Sequence, residues 1–248
     1  MVRVAEPLEG RSVVITRSAG QNASLRLLLE ARGARVVEVP LIAIEEPEDE
    51  GRVRDEVLQR IHEFDWVVVT STNGADRVAP FVSAAMAAGD TDSFPLFAAV
   101  GAATANSLGT TASIVAEPAR ASVLAGSFPQ GTGRVLLVQG NLADEELAGA
   151  IAAKGWDVTK VVAYRTTHLR PPRELMLPAL AADVLLLASG SAAGAWHDAF
   201  GTSTPPVVAS IGPSTTKAAE KLGISVSVTA AEQSLEALIQ AAANSIGA

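Results

Sequence analysis

An ordered internal repeat constrains this chain more than any other feature. Gly10-Arg-Ser-Val-Val-Ile-Thr-Arg17 reads against Gly133-Arg-Val-Leu-Leu-Val-Gln-Gly140, and Arg32-Gly33-Ala34 against Lys154-Gly155-Trp156. The series continues with Asp65-Trp-Val-Val-Val-Thr-Ser71 against Asp183-Val-Leu-Leu-Leu-Ala-Ser189, and Val100-Gly-Ala-Ala-Thr-Ala105 against Ile211-Gly-Pro-Ser-Thr-Thr216. It closes with Ser122-Val-Leu124 against Ser234-Leu-Glu236. One such pair can arise by chance, because strand-to-helix junctions resemble one another. Five in the same order indicate a duplication, and a period above about 100 residues is domain-sized rather than solenoid-sized.

The repeated segments are short apolar runs separated by helical patterns. Runs at 12–16, 34–39, 66–70, 96–100 and 113–115 are followed by a second set at 134–138, 157–163, 183–187, 207–211 and 225–228. Nearly continuous apolar runs of this length suit strands buried on both faces of a parallel sheet. Between them, 21–32 places Leu25, Leu28 and Leu29 on one helical face before Gly33, and 144–154 places Leu147 and Ile151 on one face before Gly155. Both glycines read as helix stops. The fold class is therefore α/β, with two similar doubly wound parallel-sheet domains.

Composition narrows the chemistry. The 248 residues include no cysteine, which excludes disulfides, thiolate metal sites and a cysteine nucleophile, and His62, His168 and His197 are scattered. No metal site is expected. Lys plus Arg number 19 against 27 Asp plus Glu, a net charge of -8 that repels phosphate backbones, so nucleic acid is not an expected partner. Uncharged stretches such as 67–75 fall far short of the roughly 20 apolar residues of a membrane span. Residues 1–9 carry Arg3, Glu6 and Glu9 and do not read as a secretory leader, which makes the cytoplasm the expected location. No Gly-x-Gly-x-x-Gly follows a strand and no Gly-x-x-x-x-Gly-Lys occurs, so no nucleotide cofactor has a fingerprint. Ser189-Gly190-Ser191 lacks the Gly-x-Ser-x-Gly pattern of a nucleophile elbow, and the histidines read as solvated or capping residues.

Four turns carry the remaining chemistry: Thr70-Ser71-Thr72-Asn73-Gly74, Gly101-Ala-Ala-Thr104, Ser189-Gly190-Ser191-Ala192 and Gly212-Pro-Ser-Thr215. Each joins a strand to a helix. In a parallel sheet such turns lie at the carboxyl edge, where free helix N–H groups and hydroxyls hold carboxylate or phosphate. The plainer reading is that Ser, Thr and Asn cap helices, and for one turn alone it is the stronger. Four matched turns favour ligand-binding edges, and two sheets facing one another by those edges would bind an anion with little net positive charge. The one tyrosine, Tyr164, ends the run at 157–163, where the first half has Leu41-Ile42-Ala43-Ile44 after Pro40. Its phenol is either a proton donor or a packed aromatic with an exposed hydroxyl.

Together these residues resemble the uroporphyrinogen-III synthase family. The resemblance is carried by Val14-Ile-Thr16-Arg17, Thr70-Ser-Thr-Asn-Gly74, Val100-Gly101 with Thr104-Ala105, Val162-Ala-Tyr164-Arg165-Thr166 and Ile211-Gly-Pro-Ser-Thr215, and it covers nearly the whole chain. It implies that the chain crosses twice between domains through a two-stranded linker, near 40–44 and 161–167. One domain would then be 1–40 with 168–248, and the other 41–167. It also implies a cofactor-free, cytosolic, monomeric enzyme that receives hydroxymethylbilane, a linear tetrapyrrole polycarboxylate, by transient hand-over from hydroxymethylbilane synthase. The product would be uroporphyrinogen III, formed with inversion of the terminal ring and loss of water.

By the same resemblance Tyr164 assists departure of the hydroxyl. Ser71, Thr72, Asn73, Gly101, Thr104, Ser189, Gly190, Ser191, Gly212 and Thr215 hold carboxylates, with charge from Arg17 and, as a further candidate, Arg165. Two positions depart from the family pattern: Gln139-Gly140 stands where Arg-Gly is frequent, and Ala188-Ser189 where Thr-Ser is frequent. The competing reading is a non-catalytic two-lobed protein that binds or senses a small anion through the same turns.

Overall fold

The computed structural model describes residues 8–89 and 94–246; most of the stretch read as lacking a secretory leader lies outside them. In chain order these residues form β1 (Ser12–Ile15), α1 (Ala19–Glu30), β2 (Arg35–Glu38), β3 (Ile42–Glu45), α2 (Arg52–Leu58), β4 (Trp66–Val69), α3 (Thr72–Ala87), β5 (Leu96–Ala99), α4 (Ala102–Ser107), β6 (Ile114–Val115) and α5 (Ala121–Ser127). They continue with β7 (Arg134–Gly140), α6 (Glu146–Ala152), β8 (Asp157–His168), α7 (Arg173–Leu180), β9 (Val184–Leu187), α8 (Gly190–Phe200), β10 (Val207–Ser210), α9 (Pro213–Lys221), β11 (Val228–Thr229) and α10 (Leu235–Ile246). Gly33 and Gly155 take positive φ after α1 and α6, as helix stops do. Among the described residues no helix is long and apolar enough to cross a membrane.

The chain divides into two compact units, Met1–Ala43 with Thr167–Ala248, and Ile44–Thr166. The first holds a five-stranded sheet in the order β11-β10-β9-β1-β2, and the second is built on a six-stranded sheet in the order β3-β8-β7-β4-β5-β6. The pairings β2-β1-β9-β10-β11 and β8-β7-β4-β5-β6 are all parallel. In repeat terms the two orders are the same, because β1 and β2 correspond to β7 and β8, while β9, β10 and β11 correspond to β4, β5 and β6. Each unit therefore combines the opening strands of one repeat with the closing strands of the other. The chain changes unit within β3 and within β8, which are neighbours at one edge of the second sheet.

Both sheets are covered on two faces, which is why their strands read as unbroken apolar runs. In the first unit Val14, Leu185, Leu187 and Val208 pack with Trp196 and Phe200 of α8, while Val13, Ile15, Val184 and Leu186 pack with Leu25 and Leu29 of α1 and Leu238 and Ile239 of α10. In the second, Val67, Val69, Leu136 and Val138 face Val78 and Val82 of α3, and Val68, Val135 and Leu137 face Leu124 of α5 and Ile151 of α6. Each such side chain removed from water contributes about 1.5–3 kcal/mol.

Two runs end elsewhere than the sequence suggests. The last strand lies at Val228–Thr229 rather than 225–228, because Ile224 and Val226 are drawn into the core beside Trp196. Tyr164 does not end its strand, for β8 continues to His168 alongside β3.

The repeat also preserves an aspartate anchor. Asp183 Oδ2 accepts from the Ser12 backbone N–H at 2.7 Å and the Ser12 hydroxyl at 2.6 Å, and Oδ1 accepts from Arg11 at 3.1 Å. Its counterpart Asp65 accepts from the Arg134 N–H at 2.8 Å. The Ser12 hydroxyl, followed by the Ser12 N–H, holds the Asp183 carboxyl below the usual carboxylate range. A carboxyl lowered by folding stabilises above its unfolded value of about 3.9 and loses that contribution as pH falls through its folded value. Asp183→Asn should therefore cost about 1–2 kcal/mol at pH 7. Urea titrations should show the gap to wild type closing below about pH 4; an equal gap at pH 3 and pH 7 would contradict the anchor.

Candidate functional site

Strand order reverses between β1 and β9 in the first unit and between β7 and β4 in the second. In open parallel sheets the crevice at such a switch point, beyond the carboxyl ends of the strands, is where ligands bind. Thr16 and Arg17 with Ala188 to Ser191 follow β1 and β9, and in the second unit Gln139 and Gly140 end β7 while Thr70 to Asn73 follow β4. The predicted turns at Ser189 and Ser71 thus stand at equivalent switch points, one in each unit. The turns at Gly212 and Gly101 follow β10 and β5, one strand further out.

In the first unit Ser189 caps α8, its hydroxyl accepting from the Ala192 N–H at 3.1 Å and lying 2.9 Å from the Ser191 hydroxyl. Gly212 precedes α9 with no side-chain cap, and Thr215 is buried in the first turn at 4% exposure. Here the hydroxyl cluster belongs to Thr216, which touches Ser210 at 2.5 Å and Thr229 at 2.7 Å. Arg17 donates to the Gln21 carbonyl at 3.1 Å and meets no carboxylate among the described residues. Burial draws its guanidinium pKa down from the ordinary arginine value. At the same β1–α1 turn the Thr16 hydroxyl and both amide atoms of Asn22 are buried without a hydrogen-bond partner among the described residues. Unsatisfied groups of this kind cost about 1–3 kcal/mol each, a demand that a bound water or ligand would meet.

In the second unit Ser71 caps α3, accepting from the Gly74 N–H at 3.2 Å. Thr72 and Asn73 open that helix and are half-buried. Gly101 precedes α4 with φ +89°, and a Cβ there would stand 2.6 Å from that of Ala119, so the turn requires glycine twice over. Thr104 is buried at 3% exposure, matching Thr215 in the other unit. Capping is thus the observed role of Ser71 and Ser189. Thr72, Asn73, Gly190 and Ser191 remain at the helix starts, where backbone N–H groups and the positive end of the helix dipole favour anions.

Tyr164 pairs with Gly140 and lies against it: a Cβ on Gly140 would come within 2.7 Å of the ring Cζ and 2.9 Å of the phenol oxygen. The phenol is thereby brought to the carboxyl end of β7, beside the Ser71 turn. Arg165 is committed elsewhere, to Glu48 at 2.9 Å and Glu45 at 3.7 Å, which makes it a weaker source of charge for a ligand than Arg17. Gln139 is buried at the end of β7. His168 is not simply solvated, for its Nδ1 lies 2.6 Å from Asp198. Among the described residues no group of three or more His, Asp or Glu is placed to hold a metal ion.

Sequence reading missed Arg77, whose guanidinium carbon lies 5.6 Å from the Tyr164 ring centroid, and Arg120, whose Nε is buried without a hydrogen-bond partner among the described residues, beside Ala119 and the Gly101 turn. For Arg120 the signal was available, since the position matched by the repeat holds Glu232 and only the second unit is basic there.

Comparison with known proteins gives the family and the fold. The family model described as uroporphyrinogen-III synthase HemD matches residues 23–240. The chain is 31% identical over 231 residues to a chloroplastic uroporphyrinogen-III synthase of Oryza sativa subsp. japonica, covering 86% of this chain and 73% of the rice protein. It is 28% identical over 254 residues to the uroporphyrinogen-III synthase of Synechococcus elongatus, covering 95% and 96% of the two chains. A crystal structure of a mutant uroporphyrinogen III synthase from the extreme thermophile Thermus thermophilus shares the fold at TM-score 0.66 and 19% identity, over 96% of this chain and 99% of that one. A uroporphyrinogen-III synthetase structure from Helicobacter pylori shares it at TM-score 0.53 and 17% identity, over 93% and 97%.

Proposed function

The chain belongs to the uroporphyrinogen-III synthase family, and from that premise we propose that it closes hydroxymethylbilane to uroporphyrinogen III, with inversion of the terminal pyrrole ring and loss of water. The observation that carries the reading is the family match over residues 23–240, a span that includes the carboxyl-edge turns of both units. The substrate supplies much of the reactivity, because loss of its hydroxyl leaves a cation stabilised by the pyrrole. The protein's task is to fold a flexible chain so that attack occurs through the substituted carbon of the terminal ring, giving a spiro intermediate instead of direct closure. That is an effect of orientation, and it suits edges rich in N–H groups and hydroxyls and poor in strong acids and bases.

In this reading Arg17, Ser71, Thr72, Asn73, Gly101, Thr104, Ser189, Gly190, Ser191, Gly212 and Thr215 hold substrate carboxylates, through backbone N–H groups where side chains are buried or capping. Tyr164 gives a proton to the departing hydroxyl, and the proton released when the new ring rearomatises balances it. The chain works as a monomer without metal or cofactor and receives substrate by transient hand-over from hydroxymethylbilane synthase. A cytoplasmic location belongs to the same reading, whereas the rice relative is designated chloroplastic.

The test is to add purified protein, without metal or cofactor, to freshly made hydroxymethylbilane and separate the product isomers. Type III is expected. Type I alone, which unassisted closure gives, would refute the reading in favour of an anion-binding protein.

A further inference from the structure

Strict alternation along β8 places Val161 and Ala163 on the face packed by α3 and sends residues 162 and 164 to the other. Val162 is indeed exposed, yet Tyr164 packs against the same cluster as Val161 and Ala163. The register explains this. Gln139 faces Val162 and Gly140 faces Tyr164, so Ala163 has no counterpart and β8 bulges by one residue, which re-aims the tyrosine.

A bulge releases backbone groups from the ladder, and a buried carbonyl needs a donor. Arg54 provides it, its Nη1 lying 2.8 Å from the Ala163 oxygen. The same guanidinium binds Asp55 at 2.7 Å and Glu46 Oε2 at 2.5 Å. The second oxygen of Glu46 takes a forked pair from Arg77, at 2.9 Å to Nε and 2.7 Å to Nη2. Arg77 also donates to the Asn73 carbonyl at 3.0 Å and lies over the Tyr164 ring. Burial pushes the Glu46 carboxyl up, but hydrogen bonds from Arg54 and Arg77 outweigh it and hold the carboxyl below its ordinary range. One carboxylate thus joins the cation that holds the bulged backbone to the cation that covers the ring.

We propose that Glu46, Arg54 and Arg77 form a mount that aims the Tyr164 phenol, with Arg77 as a positioning residue for ring closure. This rests on the reading that the phenol assists hydroxyl departure. A purely structural cluster would satisfy the Ala163 carbonyl and nothing more, and its loss would act on turnover independently of Tyr164.

The test uses the full chain, with kcat and KM measured on hydroxymethylbilane for Arg77→Gln, Arg77→Lys, Glu46→Gln, Tyr164→Phe and the double variant Tyr164→Phe/Arg77→Gln. Arg54 is left intact because its removal would bury an unpaired carbonyl. The chain holds one tyrosine, so a single 13Cζ-tyrosine resonance reports on Tyr164 whatever the activity. Arg77→Gln should lower kcat about fivefold with KM within about twofold, and should move the resonance. Glu46→Gln should move it in the same sense, and Arg77→Lys, which keeps the charge without the fork, should recover part of the rate. In the Tyr164→Phe background the Arg77→Gln change should cost less than about twofold. A slow Tyr164→Phe with a full additive loss from Arg77→Gln, or an unmoved resonance in folded Arg77→Gln, would overturn the mount alone. Wild-type turnover by Tyr164→Phe would overturn the phenol's role and, with it, the mount's part in turnover.

Discussion

Replacing Tyr164 with phenylalanine is expected to lower kcat about tenfold or more, about 1.4 kcal/mol of transition-state stabilisation, while the fold stays intact. The ring, its seat on Gly140 and the overlying Arg77 are all retained; only the hydroxyl leaves. A general acid contributes roughly 10²–10⁴-fold in enzymes that need one, and a leaving group that departs readily puts this case at or below the lower end. Thr104→Ala and Thr215→Ala should cost less, at most about 1 kcal/mol each, because both side chains are buried and the backbone N–H groups proposed to hold carboxylates are kept. The ranking in steady-state kinetics is the check. Wild-type turnover by Tyr164→Phe beside a nearly inactive Thr104→Ala or Arg17→Ala would make Tyr164 a packing residue.

The largest stability effect is expected at Trp196. It is fully buried on α8, stacks on Phe200 with ring centroids 4.2 Å apart, and donates its indole N–H to the Ser203 carbonyl at 3.0 Å. Truncation to alanine empties the centre of the cluster formed with Leu185, Leu187 and Val208 and should cost about 3–5 kcal/mol. That is a large fraction of the roughly 5–15 kcal/mol that holds a typical domain folded. Because the two units have separate cores, amide exchange should show protection falling in β9 and β10 and persisting in β4 and β7. Equal loss in both sheets, or unchanged protection in β9, would contradict the division of the cores.

The duplication was readable because strands covered on both faces leave unbroken apolar runs, and because Asp65 and Asp183 tie equivalent strand starts. The same strands made the fold class and the carboxyl-edge turns legible. What escaped was chemistry set by register and by distant partners. Nothing in Gln139-Gly140 or Ala163-Tyr164 announces a bulge, so strict alternation would aim the tyrosine at the wrong face, and the apolar run stops before the polar residues that continue β8 to His168. Glu46, Arg54 and Arg77 lie on a loop and two helices, where isolated charges read as a solvated surface; only folding joins them through Glu46 and brings Arg54 to the Ala163 carbonyl. For Arg165 the position beside Tyr164 suggested a ligand charge, and the sequence did not announce its pairing with Glu45 and Glu48. Thr215 was named for a hydroxyl that is buried, and the hydroxyl contacts at that edge belong to its neighbour Thr216.

In the proposed function the choice of isomer is set by orientation of the substrate rather than by proton donation. This is tested most directly by the isomer composition from Tyr164→Phe under single-turnover conditions, with enzyme in large excess over hydroxymethylbilane so that unassisted closure contributes little. Slow formation of type III, with selectivity like that of wild type, is expected. Predominantly type I product from enzyme-bound substrate would contradict it, because the phenol would then be selecting the route of ring closure and not only its rate.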